Sequence, residues 1–195
     1  MKYDIPNNQA EVLSNILGLT TVNEIALSEF EGFLQAEIML TEDLTARTRF
    51  NTKYILKIHK LALGHLYSFA GKLRDVNLSK GNFPFASAQY LSQTMQYFED
   101  DILFKLPNKY DSREELIRDI SIVHAELLLI HPFREGNGRT ARILANLMSR
   151  KGGYGPLNFE KIDDKEFEKY VSAIQQAGGK DYSKMIKFIR SIFPV

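Results

Sequence analysis

A long apolar helix that ends abruptly at a proline constrains the fold of this 195-residue chain more than any other feature. Residues 113–130 have helical spacing and become mostly apolar from Ile120 to Ile130, so we predict a central helix that is buried on most sides. Pro132 ends it, because the pyrrolidine ring fixes φ, removes an N–H group and disfavours the α conformation at His131. The imidazole of His131 is therefore expected at a helix end, projecting into a cleft.

The stretch that follows this helix, His131 to Arg142, reads HPFREGNGRTAR. A second helix is predicted to leave it over residues 137–150. Gly136 and Gly138 flank Asn137 just before that helix, and glycine allows positive φ and a close approach of the backbone to a ligand. Successive N–H groups in such a turn form a concave anion-binding nest, to which the helix N-terminus adds partial positive charge. The loop is therefore a candidate phosphate site.

Charged side chains in the same loop suit phosphate chemistry. Arg139 and Arg142 share one helix face at a spacing of three residues, and guanidinium groups grip phosphate oxygens in a bidentate manner. Glu135 offers a hard oxygen ligand for Mg²⁺, which usually takes one or two carboxylates when it bridges phosphates. His131 remains as the base, because the unperturbed pKa of imidazole lies near neutrality. The motif GxxxxGK(S/T) does not occur, which excludes a P-loop NTPase.

This stretch resembles the signature HPFx(D/E)GNGRxxR of the Fic ("filamentation induced by cAMP") family. All nine constrained positions are present: His131, Pro132, Phe133, Glu135, Gly136, Asn137, Gly138, Arg139 and Arg142. The resemblance implies a protein adenylyltransferase that moves AMP from MgATP to a Tyr, Thr or Ser hydroxyl of a target protein and releases pyrophosphate. We expect His131 as the base, Glu135 on Mg²⁺, Gly136 to Gly138 at the α-phosphate, and both arginines at the β- and γ-phosphates.

Two further segments resemble parts of the same family. Residues 170–181 resemble the helix beside the adenine and ribose, so Tyr170 is expected to contact the nucleotide, with a core tyrosine as the alternative. Residues 77–85 read NLSKGNFPF, a turn signal between short apolar flanks, and correspond to a β-hairpin flap over the active site. The edge of such a hairpin can hold a target segment by main-chain pairing. The residues expected to do so are Ser79, Lys80, Gly81, Asn82 and Phe83.

An earlier helix, predicted over residues 22–40, carries an apolar stripe at spacings of three and four residues. The stripe consists of Leu27, Phe30, Leu34 and Ile38. Glu31 projects into it, and a carboxylate on a buried face needs a partner. Gly32 follows, and a glycine in mid-helix costs roughly 1 kcal/mol against alanine, which suggests that another group approaches closely there.

The pair Glu31-Gly32 is similar to the inhibitory Fic element (S/T)xxxE(G/N), although Leu27 stands where Ser or Thr is expected. Two interpretations stay open. In the first, Glu31 is buried, pairs with Arg142 and restrains the enzyme. In the second, Glu31 is a surface residue with a local partner.

We predict an all-α fold of about eight helices with a small β-hairpin flap. The predicted helices span residues 8–17, 22–40, 52–67, 87–103, 113–130, 137–150, 163–176 and 182–192. Residues 1–50 form N-terminal helices with the candidate inhibitory element, and residues 51–195 form the Fic-like domain. His124 lies two turns before His131, and since no third metal ligand is evident we expect a buried structural histidine.

Composition and charge limit the partners and the cellular compartment that we expect for this chain. The net charge of +1 implies neither nucleic acid nor a membrane surface as a partner, and the absence of cysteine leaves no disulfide and no thiolate metal site. The sequence shows no apolar leader or transmembrane stretch, so we expect a cytoplasmic protein of bacterial type, with delivery into another cell as an open alternative. Nothing in the sequence indicates a homo-oligomer.

Two alternative functions remain. In the first, the enzyme transfers UMP, GMP or phosphocholine in place of AMP, because the motif contacts the phosphates and not the base. In the other, the chain is a catalytically silent toxin–antitoxin or binding module.

Overall fold

The computed structural model describes residues 12–80, 83–162 and 164–194. Within them the regular secondary structure is helical, as predicted, apart from one two-stranded hairpin. The helices are α1 Val22–Glu42, α2 Thr52–Leu63, α3 Leu91–Asp101, α4 Arg113–Ile130, α5 Asn137–Lys151, α6 Asp164–Ala177 and α7 Ser183–Ile192. Short 3₁₀ turns span Ala88–Tyr90, Leu103–Lys105 and Phe159–Lys161. In this described part no helix combines the length and apolarity needed to cross a bilayer.

Helix α4 is the centre of the fold, as its composition predicted. It packs against α3, α5, α6 and α7. Leu116, Ile117 and Ile120 are fully buried, and the burial continues to Ile130. Ser112 caps the helix, since its hydroxyl accepts a hydrogen bond from the N–H of Glu115 at 3.2 Å. A helix buried on most sides has both of its ends fixed by its neighbours, and the end at Ile130 leads into the site.

The hairpin consists of β1 Ser79–Lys80 and β2 Phe83–Pro84. The strands are antiparallel, with Ser79 opposite Pro84 and Lys80 opposite Phe83. The predicted hairpin is confirmed, and its tip at residues 81 and 82, which includes the expected target contacts Gly81 and Asn82, lies outside the described residues.

The predicted helix over residues 8–17 is wrong where the structure describes it, from residue 12 onward. The side chain of Asn15 holds this segment in a non-helical turn. Its amide donates to the carbonyls of Leu13 and Leu19, and its oxygen accepts from the N–H of Leu19 at 2.8 Å. Asparagine competes with helical hydrogen bonding in this way because its side chain reaches nearby backbone groups. Residues 8–11 of that prediction lie outside the described part.

The apolar stripe predicted to be buried on α1 is exposed. Leu27 and Phe30 are 59% and 63% exposed, and Leu34 and Ile38 lie on the same outward face. The buried face of α1 is the opposite one, formed by Glu29, Gly32, Phe33, Ala36 and Leu40. Helix α1 is thus apolar on two faces, and the face with the small residues is the one that packs.

Gly32 explains the choice of face. A Cβ at this position would lie 2.0 Å from the carbonyl oxygen of Ala62 and 2.5 Å from Cε1 of His65. Glycine therefore allows α1 and α2 to touch backbone to backbone, which confirms the close approach that its mid-helix position suggested. The contact sets the position of α1 beside the site.

We predict that Gly32→Ala lowers stability, although alanine is the better helix former by about 1 kcal/mol. Overpacking a backbone contact costs roughly 1–3 kcal/mol, and it outweighs that gain. Urea unfolding of wild type and variant measures the difference. Gln35→Ala, at an exposed position of the same helix, is the control and should be neutral or slightly stabilising. A Gly32→Ala protein at least as stable as wild type would contradict the close contact.

Candidate functional site

The site begins at His131, which ends α4 in a left-handed conformation with φ 53° and ψ 58°. Its N–H still donates to the carbonyl of Leu127 at 3.0 Å, so the residue belongs to the helix while its side chain turns away from the helix axis. Pro132 comes next and cannot continue the helix. A non-glycine residue at positive φ is uncommon and is maintained only when its surroundings demand it.

The imidazole of His131 is held as a neutral ring. Nδ1 lies 3.1 Å from the carbonyl oxygen of Leu128, which can only accept, so Nδ1 carries the proton and Nε2 presents the basic lone pair. Burial lowers the pKa of His131 to about 4, and the charges of Arg74 and Lys80 act in the same direction. Phe85 stacks on the ring at 3.8 Å between centroids. His131 is therefore an unprotonated base at neutral pH.

Arg74 ties this helix end to the hairpin. Its Nε donates to the carbonyl of His131 at 2.8 Å, and its backbone N–H donates to that of Pro132 at 2.9 Å. The Nη atoms donate to the carbonyls of Val76 at 2.6 Å and of Ala86, one on each side of the hairpin. The residue is buried, and one guanidinium thus fixes His131 relative to both legs of the hairpin.

The side chain of Asn137 closes the loop between α4 and α5. Its Oδ1 accepts from the N–H of Phe133 at 2.8 Å, and its Nδ2 donates to the carbonyl of the same residue at 2.7 Å. Phe133 stacks on His59 of α2 at 3.8 Å, and His59 bonds the carbonyl of Glu135 at 2.9 Å. Both polar atoms of the Asn137 amide are used within the loop and the residue is buried, so its predicted contact with the α-phosphate stays a prediction that concerns its backbone N–H.

Gly136 and Gly138 have different roles in the loop. Gly136 has φ +77°, and a Cβ there would meet Phe33 at 2.9 Å, so it turns the chain and packs against α1. Gly138 has no atom within 4 Å of its Cβ position and lines the cavity described below. Since the first N–H groups of α5 have no intrahelical acceptors, the helix start at Asn137 is where the predicted anion-binding end at Gly138 would lie.

Arg139 is held by two carboxylates. Its Nη2 lies 2.5 Å from Oε2 of Glu29 and 3.2 Å from Oε1 of Glu135, and its guanidinium covers the ring of Phe33 at 4.5 Å. Glu29 also accepts a hydrogen bond from the hydroxyl of Tyr67 at 2.8 Å. Burial and this bond to Glu29 raise the pKa of Tyr67. The buried carboxylate of α1 is thus paired with the first arginine of the loop.

Glu31 lies on the exposed face of α1. The prediction that it is buried within the packed face and pairs with Arg142 is therefore wrong. The error follows from the choice of helix face, because the apolar stripe that contains Glu31 faces outward. Glu29, two residues earlier, points inward and makes an arginine pair of the kind that was expected of Glu31.

A cavity of about 470 Å³ opens between the loop, the hairpin and α6. Its volume suits a nucleotide-sized ligand. The cavity brings together most of the predicted site: Lys80, Phe83, His131, Gly138, Arg139, Arg142 and Tyr170 line it, with Phe85, Leu128, Phe167, Val171, Ile174 and Gln175. Basic groups and an apolar wall meet in one space.

Tyr170 contributes its ring to the cavity wall, while its hydroxyl points into the protein. That hydroxyl lies 2.7 Å from Nε2 of His124 and interacts with Arg142. The guanidinium of Arg142 in turn lies over the ring of Phe159 at 5.5 Å. Tyr170 is therefore both a wall of the cavity and a partner of the second arginine.

The position of Glu135 is compatible with its predicted role as a magnesium ligand. It is buried, and its Oε1 accepts from the N–H of Gly136 at 2.8 Å and from Arg139. A single carboxylate beside groups that are predicted to bind phosphate would suit an ion that takes its remaining ligands from phosphates and water.

Comparison with known proteins agrees with this geometry. The sequence model of the Fic/DOC family matches residues 49–149, just over half of the chain. The chain belongs to the Fic/DOC family.

Animal Fic proteins are among the relatives of this chain. The protein adenylyltransferase Fic of Nematostella vectensis is 30% identical over 139 residues, which are 69% of this chain and 30% of that protein. The protein adenylyltransferase fic-1 of Caenorhabditis elegans is 34% identical over 104 residues, which are 53% of this chain and 20% of that protein. The chain thus spans less than a third of the length of these two relatives.

Solved Fic domains share the fold. The N-terminal Fic domain of Bep8 from Bartonella sp. 1-1C superposes with a TM-score of 0.79 at 20% identity, covering 97% of this chain and 94% of that chain. BepC from Bartonella tribocorum, with bound AMPPNP, gives 0.76 at 19% identity, covering 96% and 95%. The all-α Fic fold with its hairpin is confirmed.

Sequence reasoning missed three residues of this Fic site: Glu29, Arg74 and His124. Glu29 gave no signal, because it lies outside the recognised Glu-Gly pair. Arg74 closes the segment 69–74, FAGKLR, which resembles the AGxxR segment of Fic proteins, and an arginine at that fixed place was an available signal. His124 was expected to be buried and structural, and it is buried, but it also touches a cavity residue.

We predict that Arg74→Met lowers the free energy of unfolding by about 3 kcal/mol, because buried carbonyls left without their charged donor cost about 1–3 kcal/mol each. Urea unfolding measures the effect. Arg118→Met is the control, since Arg118 is an exposed arginine paired with Asp119 and should change stability by less than about 0.5 kcal/mol. Equal stability of the two variants would show that Arg74 does not hold the hairpin to the helix end.

Proposed function

We propose that this chain transfers AMP from MgATP to a hydroxyl group of a protein. One observation carries the proposal: a single cavity contains a neutral basic imidazole, a helix N-terminus and two arginines. A base, an anion-binding nest and two guanidiniums are what a nucleotidyl transfer needs, since such reactions depend mainly on positioning and electrostatic stabilisation.

His131 acts as the general base. The incoming hydroxyl loses its proton to Nε2 while its oxygen attacks the α-phosphorus of ATP. The bond from the α-phosphorus to the bridging oxygen breaks, and pyrophosphate leaves with that oxygen. Because Nδ1 is fixed on Leu128, the ring presents Nε2 in one orientation.

The phosphates are held by the start of α5. The N–H groups around Gly138 face the α-phosphate, and Arg139 and Arg142 hold the β- and γ-phosphates. When bound, Mg²⁺ neutralises phosphate charge, and Glu135 would be its protein ligand. Phe167, Val171 and Ile174 form the apolar wall for the base.

The hairpin holds the target. Lys80 and Phe83 line the cavity beside His131, and a target segment that pairs with the strand edge at Ser79 and Lys80 or at Phe83 would bring its hydroxyl to the imidazole. Lys80 also lies over the ring of Phe167 at 5.7 Å, which links the hairpin to the wall for the base.

We predict that His131→Ala abolishes AMP transfer and leaves binding of MgATP within about threefold of wild type. Loss of a general base typically costs about 10²–10⁴ in rate, whereas the phosphate contacts come from other residues. Labelled ATP, GTP and UTP, each labelled at the α-phosphate, are compared for transfer, and calorimetry measures binding. Preferential use of GTP or UTP would show that the transferred group is GMP or UMP and not AMP.

The pH dependence checks the same role. With a pKa of about 4, His131 is already deprotonated at pH 6, so kcat/KM should stay level from pH 8 to pH 6 and fall only as the pH approaches 4. A folded His131→Ala protein with unchanged turnover would refute the base assignment.

We further propose that Glu29 restrains the enzyme. The Glu29–Arg139 pair occupies the guanidinium that the phosphates of ATP need, so ATP must displace a buried carboxylate. An arginine held toward α1 also misaligns the phosphates, and misplacement by about 1 Å can cost on the order of 10²-fold in rate. The restraint thus rests on a contact that the structure contains.

We predict that Glu29→Gln raises self-modification and tightens ATP binding about tenfold, because a charge-assisted hydrogen bond contributes about 1.5–3 kcal/mol. Labelled-ATP assays and calorimetry of wild type and variant measure both quantities. Glu31→Gln is the matched control on the exposed face and should behave as wild type. Equal rates for wild type and Glu29→Gln, or an activating Glu31→Gln, would overturn this assignment.

A further inference from the structure

His124 is a buried polar residue with no part in the mechanism above. It lies on α4, two turns before His131, and is 1% exposed. Nδ1 is 3.2 Å from the carbonyl oxygen of Ala141 on α5, and Nε2 is 2.7 Å from the hydroxyl of Tyr170 on α6. One imidazole therefore connects the three helices that surround the cavity.

The direction of these hydrogen bonds follows from chemistry. A carbonyl oxygen only accepts, so Nδ1 of His124 carries the ring proton and Nε2 of the neutral ring must accept. Tyr170 then donates its hydroxyl hydrogen to Nε2, which leaves the lone pairs of its oxygen available to other donors. Burial lowers the pKa of His124 to about 4 and so keeps the ring neutral at physiological pH.

The guanidinium of Arg142 is the donor beside that oxygen. Its charge and its hydrogen bond to the tyrosine oppose the effect of burial, which raises the pKa of Tyr170. The ring of Phe159 covers the guanidinium from another side. Its buried Nε–H has no acceptor within the part of the chain that the structure describes, so the orientation of the guanidinium depends on its other contacts, and the tyrosine oxygen is one of them.

We propose that His124 is a positioning residue that orients Arg142 toward the phosphates of ATP by fixing the hydroxyl of Tyr170 as an acceptor. The proposal rests on the proposed function, since it assigns Arg142 to the phosphates. Without the acceptor on His124, the Tyr170 hydroxyl can turn its hydrogen toward the guanidinium, and a donor facing a cation repels it. The rotamer of Arg142 then loses its support.

Two ligands separate this role from a merely structural one. In the proposed binding mode adenosine would contact the wall on α6, whereas ATP would also need Arg142. If His124 only packs α4 against α6, its loss disturbs the wall and weakens both ligands alike. If it positions Arg142, its loss weakens ATP and leaves adenosine unchanged.

Three variants address the three atoms involved. His124→Leu removes both ring nitrogens, and Tyr170→Phe removes the hydroxyl and keeps the ring in the cavity wall. His124→Gln places an amide oxygen where Nε2 accepted, so it can restore the acceptor. Tyr154→Phe, at a tyrosine outside the cavity lining, controls for loss of a tyrosine hydroxyl in general.

The experiment measures the Kd of ATP with Mg²⁺ and the Kd of adenosine by calorimetry. We expect Tyr170→Phe and His124→Leu each to weaken ATP about tenfold and adenosine less than twofold, with the double variant no worse than either single one. His124→Gln should recover most of the ATP affinity. Tyr154→Phe should match wild type.

Several outcomes would overturn the proposal: equal weakening of ATP and adenosine, unchanged ATP binding in Tyr170→Phe, or additive losses in the double variant. Since Tyr170→Phe keeps the packing volume, it decides the matter even if His124→Leu does not fold. A wild type that binds ATP and fails to transfer AMP would refute the proposed reaction, while the comparison of ATP with adenosine would still decide the role of His124.

Discussion

The amide of Asn137, bonded twice to the backbone of Phe133, is the interaction on which the site depends. It closes a tight loop between two buried helices and so fixes where α5 begins relative to where α4 ends. His131 marks one end of this loop and Gly138 the other, so base and anion-binding nest have a fixed relation. Stacking of Phe133 on His59 anchors the loop to α2. The hydrogen bonds of Arg74 connect the end of α4 at His131 to the hairpin.

The charge of Arg139 connects the binding of ATP to the proposed restraint by Glu29. A guanidinium at the start of α5 needs acceptors, and in this structure Arg139 finds them in Glu29 and Glu135. The phosphates of ATP would offer stronger acceptors at the same place, so the contact that keeps the ligand-free site satisfied is also the one that a nucleotide must replace. Arg142, by contrast, lies beside a neutral hydroxyl and an aromatic ring, and no carboxylate among the described residues pairs with it.

The sequence predicts what is local. The helix ends are where Pro132 and the two glycines predict them. The two arginines, three residues apart, follow on the first turns of α5, as expected. The burial of α1 was not predictable from periodicity, because both of its faces are apolar, and only Gly32 and Ala36 mark the packed one. For the same reason Glu31 was chosen in place of Glu29. The contacts of Arg74 and His124 join residues distant in sequence, so local spacing does not reveal them, and only the AGxxR-like segment marks Arg74 at all.

The central claim is that a hydroxyl attacks the α-phosphorus of ATP at this site. Parallel reactions with ATP labelled at the α-phosphate and at the γ-phosphate test it most directly, with the purified Glu29→Gln protein serving as both enzyme and acceptor. The account predicts that the α-label enters protein, that the γ-label appears only in pyrophosphate, and that the two amounts are equal. Entry of the γ-label into protein, or no protein labelling from a folded enzyme that binds ATP, would contradict it.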